Sequence, residues 1–295
     1  MTLDSLKEII TRNYEIEPII NIEKTSTGSG NTFYVDTKSE KYIIKVNDRP
    51  DFVRLYGKIE SVLTELGYTQ SRIIKTNRNE LLTSESAVLY TFLHGESHKN
   101  LNITQVENAI KYIKHFNSAL LNVPFDPQEI KELNIWDKVK SLDFLINYFE
   151  YKHLPLEESK ILLLTKAIQI LSDNMSLLSK IPKQLIHSDL GPDNFLFQND
   201  NVYSIIDFTP EYENEIYSLC QFCYWNHFWI SIENEQLISD CLKIYYQRNA
   251  SKTEKKIFNA FMVKAALFRI AGAIMAGNKN LDNRFNILNR VIMNV

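Results

Sequence analysis

The segment Leu185-Ile-His-Ser-Asp-Leu-Gly-Pro-Asp-Asn-Phe-Leu-Phe197 spaces His187, Asp189 and Asn194 as H-x-D-x-x-x-x-N, and Asp207 comes after it within Ile205-Ile-Asp-Phe208. These residue types suit phosphoryl transfer from a nucleoside triphosphate. Asp189 would orient an attacking hydroxyl and accept its proton, while the Asn194 amide oxygen and the Asp207 carboxylate would hold the magnesium that bridges the phosphates. The competing interpretation is a plain turn between two strands. The context favours chemistry: Leu185-Ile186 lead in as a strand, Gly191-Pro192 imposes a turn, and Phe195-Leu-Phe197 resumes as a strand. Gln198-Asn-Asp-Asn201 reads as a hairpin turn, and Val202 to Ile206 as the strand that returns Asp207 to the side of Asn194.

Elements nearer the N-terminus must position the nucleotide. Thr27-Gly-Ser-Gly-Asn-Thr-Phe-Tyr-Val35 is a glycine-containing turn between two strand-like runs, in which Gly28, Ser29, Gly30 and Asn31 would let backbone N–H groups approach phosphate oxygens. Phe33 stands where G-x-G-x-x-G has its third glycine, so the motif alone is weak. The next strand, Lys41 to Val46, carries Lys45 among Ile43, Ile44 and Val46, and a buried lysine wants an anionic partner. A helix with Phe52, Leu55, Tyr56, Ile59, Val62, Leu63 and Leu66 on its apolar stripe offers Glu60 as that partner, with Glu65 as the competing choice.

Together, Gly28-Ser-Gly30, Lys45, Glu60, His187-Ser-Asp189, Asn194 and Asp207 resemble the aminoglycoside phosphotransferase and choline kinase group of small-molecule kinases. The resemblance runs over nearly the whole chain, specific at the catalytic segment and loose elsewhere. It implies an α+β, bilobal protein-kinase-like fold, with a small antiparallel-sheet lobe over residues 1–92 and a larger, mainly helical lobe over 93–295. It also implies ATP or GTP with Mg2+ as cofactors, a hydroxyl of a small molecule as acceptor, and a structural role for His187. Ala87 to Gly95 looks like the last N-lobe strand and hinge, where the backbone of Thr91, Phe92 and Leu93 would receive the adenine.

Bulk properties set limits. A net charge of −3 over 295 residues gives no basic footprint for nucleic acid. The N-terminus lacks the apolar core of a signal peptide, and the apolar run Ile257 to Ala276 holds Lys264 and Arg269, so it reads as a core helix and not a membrane span. A cytoplasmic protein is expected; oligomeric state is not legible. Cys220, Cys223 and His227 have the spacing of zinc ligands, but no fourth ligand matches, and buried free thiols in a helix are expected.

Short strand candidates, Ile16 to Thr25, Thr32 to Asp36, Lys41 to Val46, Gln70 to Lys75, Glu80 to Thr83 and Ala87 to Phe92, precede a helical remainder. Asp207-Phe-Thr209 replaces D-F-G, and no A-P-E comes after it, which leaves little room for a loop that docks a polypeptide. A small-molecule acceptor is therefore preferred over the alternatives of a bacterial-type protein Ser/Thr kinase and a non-catalytic nucleotide-binding module. Glu211, Glu213 and Glu215 would either attract an aminated acceptor or form a solvated helix start. Tyr224, Trp225 and Trp229 would either wall an acceptor site or fill the core.

Overall fold

A computed structural model describes residues 2–25, 31–129, 142–151, 156–229, 235–278 and 280–293. The chain divides into two compact units, one of Met1–Gly95 with Asn122–Glu129, the other of Glu96–Leu121 with Ile130–Val295.

The first unit is built on an antiparallel sheet of β1 (Asn21–Lys24), β2 (Thr32–Asp36), β3 (Lys41–Lys45), β4 (Ile73–Ile74) and β5 (Val88–Thr91), ordered β1-β2-β3-β5-β4. Side chains alternate between its faces. Phe33, Val35, Ile44 and Leu89 form one face and pack with Leu6, Ile9 and Ile10 of helix α1 (Leu3–Asn13). Burying that stripe gives the amphipathic N-terminal segment a face to pack on as a helix. Tyr90 lies on the other face, and its ring meets Tyr56 of α2 (Pro50–Glu65) edge-on, with centroids 5.9 Å apart. Pro50 opens α2 at a position that needs no N–H. Gly67, at φ 83°, closes it with the Tyr68 N–H on the Leu63 carbonyl and its own N–H on Thr64.

The strand expected at Glu80 to Thr83 is absent. Thr76 and Thr83 each close a tight turn there, their hydroxyls accepting the N–H groups of Glu80 and Ala87, with Asn79 and Ser86 left-handed. The backbone groups a strand would pair are spent locally. Of the long strand expected from Ile16, only Asn21–Lys24 is a strand, with Ile20 and Thr25 each adding one backbone hydrogen bond to β2.

The second unit is mainly helical. Its described helices are α3 (Ile103–Leu120), α4 (Leu142–Tyr151), α5 (Glu158–Leu178), α6 (Glu215–Cys223), α7 (Glu235–Tyr246), α8 (Lys252–Met275) and α9 (Asp282–Met293), and a π-helical turn spans Tyr224–Trp229. Two hairpin-like pairs complete it: β6 (Gln184–His187) with β9 (Pro210–Glu213), and β7 (Phe195–Gln198) with β8 (Asn201–Ile205). Two helices, α5 and α8, are long and apolar enough to cross a membrane by length and composition, but 67% of the apolar window of α8 is buried inside the protein. It packs against α5, α6 and α9 as a core helix. Its Lys264 is also buried and meets Glu213 of β9 at 2.7 Å.

Candidate active site

Strand β6 delivers the candidate catalytic segment from the core. Leu185 and Ile186 are fully buried, and His187 comes next at 1% exposure, its ring against Phe208. His187 Nδ1 faces two backbone N–H groups, that of Asp189 at 3.1 Å and that of Thr209 at 3.5 Å. It must therefore be the acceptor, which puts the ring proton on Nε2, facing the Ile206 carbonyl at 3.3 Å. One neutral imidazole thus ties the chain before Asp189 to the chain around Asp207. Replacing it by phenylalanine keeps the ring contact but orphans the Asp189 N–H. His187→Phe is expected to cost about 1–3 kcal/mol of stability, read as a lower denaturant midpoint, together with a fall in turnover.

After Asp189 the chain turns through a 3-10 segment, Pro192–Asn194, with Pro192 at its first position. Gly191 stays extended at φ −67°, so the turn owes its shape to Pro192 and not, as the sequence suggested, to the glycine as well. Asn194 Nδ2 donates to the Asp189 carbonyl at 2.8 Å, which fixes the amide and leaves Oδ1 as its outward atom. The Ile206 N–H donates to the Asn194 carbonyl at 2.9 Å. The β7–β8 hairpin therefore brings the segment holding Asp207 to Asn194. Asp207 is exposed and left-handed, φ 57°, an uncommon state for a non-glycine residue that recurs at functional sites. An amide oxygen and a carboxylate are hard oxygen donors, and Mg2+ is held by one or two such protein groups plus phosphates and water. The residues present fit that ion.

In the first unit, Lys45 sits on the Tyr90 face of β3, its Nζ 5.9 Å from the Tyr90 ring centre. The pairing of Lys45 with Glu60 expected from the sequence is not made among the described residues. The Glu60 carboxylate instead accepts the Ile73 N–H at 3.4 Å, because β4 is an edge strand with an unpaired donor there. Burial raises the Glu60 carboxyl above its ordinary value, against the Ile73 hydrogen bond and the Arg72 charge. Gly28, Ser29 and Gly30 lie outside the described residues. The Asn31 carbonyl accepts the Val46 N–H at 2.9 Å.

The backbone groups expected to receive the adenine are unequal. The Thr91 N–H is spent on the Arg72 carbonyl at 2.8 Å, and the Thr91 carbonyl accepts the Ser71 hydroxyl at 2.7 Å. The Phe92 N–H reaches the Lys41 carbonyl at 3.3 Å. Leu93 N–H has no hydrogen-bond partner among the described residues. Of the three residues assigned to the adenine, Leu93 has its donor available, while Thr91 keeps only a second carbonyl lone pair.

Residues 21–210 match the model of the phosphotransferase enzyme family. The chain belongs to that family. Similar solved structures have the same protein-kinase-like fold. An amicoumacin kinase in complex with AMP-PNP and Ca2+ is 14% identical, with 98% of this chain and 94% of that chain covered and a TM-score of 0.69. Spectinomycin phosphotransferase in complex with ADP and spectinomycin is 18% identical, with 100% and 97% covered and a TM-score of 0.64. Choline kinase LicA from Streptococcus pneumoniae is 14% identical, with 99% and 97% covered and a TM-score of 0.62. This phosphotransferase-family chain departs from its sequence-based reading in its acids. Glu213 is buried and paired with Lys264 and Lys183, and Glu215 is paired with Lys114 at 3.0 Å and accepts the Tyr245 hydroxyl. Glu211 is buried too. They form neither a solvated helix start nor an exposed acidic lure. Tyr224 is core, and Trp225 stacks on Arg269, whose guanidinium carbon is 4.5 Å from the ring centre. The Trp229 and His227 side chains lie outside the described residues. Cys220, Cys223 and Cys241 are buried and outside any disulfide, burial pushes the Cys220 and Cys223 thiols well up, and no metal-holding cluster of three appears among the described residues.

Arg269 is the functional candidate that sequence reading missed. Its Nη2 lies 3.7 Å from Asp189 Oδ1 and donates to Gln221 Oε1 at 3.1 Å. The only signal in the sequence was an arginine inside an apolar helix, which reads equally as a snorkelling charge.

Proposed function

We propose that this protein is an ATP- or GTP- and Mg2+-dependent phosphotransferase that phosphorylates a hydroxyl of a small molecule. The observation that carries the reading is the His187-locked loop, which presents the Asp189 carboxylate one turn away from Asn194 and ties Asn194 to the segment of Asp207. Asp189 orients the acceptor hydroxyl and takes its proton. Asn194 and Asp207 would hold Mg2+, which neutralises charge on the phosphates when bound. Lys45 is assigned to the phosphates, and Leu93 N–H with the Thr91 carbonyl to the base.

The short connection after Asp207 supports a small acceptor. Pro210 already pairs with His187 at the start of β9, so only Phe208 and Thr209 separate the metal-binding carboxylate from a strand. No segment between them docks a polypeptide. The decisive assay is ADP release against aminoglycosides, macrolides, choline, ethanolamine, homoserine, methylthioribose and fructosyl-amines. Absence of stimulated turnover, combined with label from ATP on lysate protein, would replace this reading by a protein kinase.

The metal assignment has its own test. Asp207→Ala is expected to weaken Mg2+–nucleotide binding by at least about tenfold, the loss of one charged contact in a site of few ligands. Titration calorimetry with AMP-PNP and Mg2+ measures it; equal affinity for the variant contradicts the role.

A further inference from the structure

We infer that the acceptor carries a carboxylate, held by Arg269 beside the catalytic base. This deepens the proposed function and rests on the reading of Asp189 as the group that orients the hydroxyl.

Arg269 projects from α8 into the second unit with its side chain 20% exposed. Trp225 covers one face of the guanidinium at 4.5 Å, and the Gln221 amide oxygen accepts from Nη2 at 3.1 Å. The remaining donor capacity is unspent. Nε is buried without an acceptor among the described residues, and Nη2 is 3.7 Å from Asp189 Oδ1, longer than a hydrogen bond. Gln221 is fully buried, and its Nε2 also has no acceptor among the described residues. The surroundings of Asp189 thus combine a largely desolvated cation with more donors than acceptors. An ionised carboxylate is the complement, because it only accepts, and its planar fork matches the guanidinium.

Two of the acids that would favour an amine are committed elsewhere. Glu213 is neutralised by Lys264 and Lys183, and Glu215 by Lys114. An acceptor carrying an ammonium without a carboxylate would set a second cation near Arg269 and leave the guanidinium without an anion. The geometry limits size as well. Hydrogen bonds of about 3 Å from Asp189 and from Arg269, starting from atoms 3.7 Å apart, place hydroxyl and carboxylate within a few carbon atoms of each other. A short hydroxy acid or hydroxy amino acid fits.

The test compares free acids with their uncharged counterparts. L-serine, L-homoserine and 4-hydroxybutyrate are assayed by ADP release against their primary amides, in wild type and in Arg269→Met. Wild type is expected to prefer at least one acid over its amide by about tenfold or more in kcat/KM, and Arg269→Met to bring that ratio near one. The ratio is taken within one protein preparation, so partial misfolding of the variant does not move it. Arg269→Lys should restore part of the preference. Three outcomes overturn the inference: turnover of cationic acceptors without acids, an acid preference unchanged in Arg269→Met, or equal loss of kcat for acid and amide, which assigns Arg269 to the transferring phosphoryl group. Failure of all the acids to raise ADP release or to bind in the presence of AMP-PNP, by calorimetry, also overturns it. The proposed function is tested separately by ATP turnover lost in Asp189→Asn, so its failure and the failure of the acceptor class are distinct results.

Discussion

Asp189→Asn is expected to lower kcat by about two to four orders of magnitude, the contribution of a positioned general base, while nucleotide affinity stays within about threefold. The physical reason lies in how the loop is held. His187 grips the backbone N–H of Asp189, and Asn194 grips its carbonyl, so the side chain is the only part of residue 189 that changes in the variant. The side chain is 44% exposed and, among the described residues, makes no hydrogen bond, only the 3.7 Å approach to Arg269, so an amide is accommodated without rearrangement. An amide still accepts a hydrogen bond but takes no proton at neutral pH. The effect should fall on kcat and leave the KM for nucleotide, as removal of an interaction made chiefly in the transition state requires. ADP-release kinetics with the acceptor found by the screen, paired with AMP-PNP titration, measures both. Turnover equal to wild type would falsify the role of Asp189.

The largest effect on stability is expected at Glu213. Lys264 is only 3% exposed and meets Glu213 Oε2 at 2.7 Å, with Lys183 at 3.2 Å on the other oxygen. Glu213→Leu would leave the Lys264 ammonium buried over the faces of Tyr217 and Phe261 without its counter-charge. Breaking a buried pair by removing one partner costs about 3–5 kcal/mol, whereas replacing both by apolar groups is often neutral. Glu213→Leu with Lys264→Met is therefore expected to recover most of the loss, and denaturant titration of the single and double variants decides it. If the single variant unfolds at the wild-type midpoint, the pair contributes nothing.

The same pair predicts a pH dependence. Burial alone would raise the Glu213 carboxyl, but Lys264 and Lys183 outweigh it and hold it below its ordinary value of 4.5. A depressed carboxylate contributes stability that is complete above the unfolded value and is lost as pH falls through the folded one. Wild type should thus lose stability on acidification below pH 4.5 more steeply than the double apolar variant, a difference visible in denaturation midpoints across that range.

The legible part of the sequence was local. The spacing of His187, Asp189, Asn194 and Asp207 is fixed by a loop and one hairpin, so residues near in sequence are near in space, and pattern alone finds them. The same holds for the strands around Lys45 and for α2, whose apolar period and end signals agree with its packing. Partners far apart in the chain were not legible. The N-terminal segment is amphipathic in sequence, but only the sheet supplies the face that Leu6, Ile9 and Ile10 cover. Glu60 had the right helix face for Lys45, yet an edge-strand N–H claims it. Glu213 and Glu215 read as surface acids because Lys264 and Lys114 lie far away in sequence.

The amino-acid sequence by itself determined the family, the two-part α+β architecture and the candidate phosphoryl-transfer loop, because those depend on short-range spacing and hydrophobic period. Only the tertiary structure decided which charges are neutralised and which cation stands at Asp189, because Arg269 reaches that carboxylate through the packing of α8 against α6 and the π-helical turn after it. Charge pairing across such distances is set by how helices stack, and no periodicity in the chain encodes it.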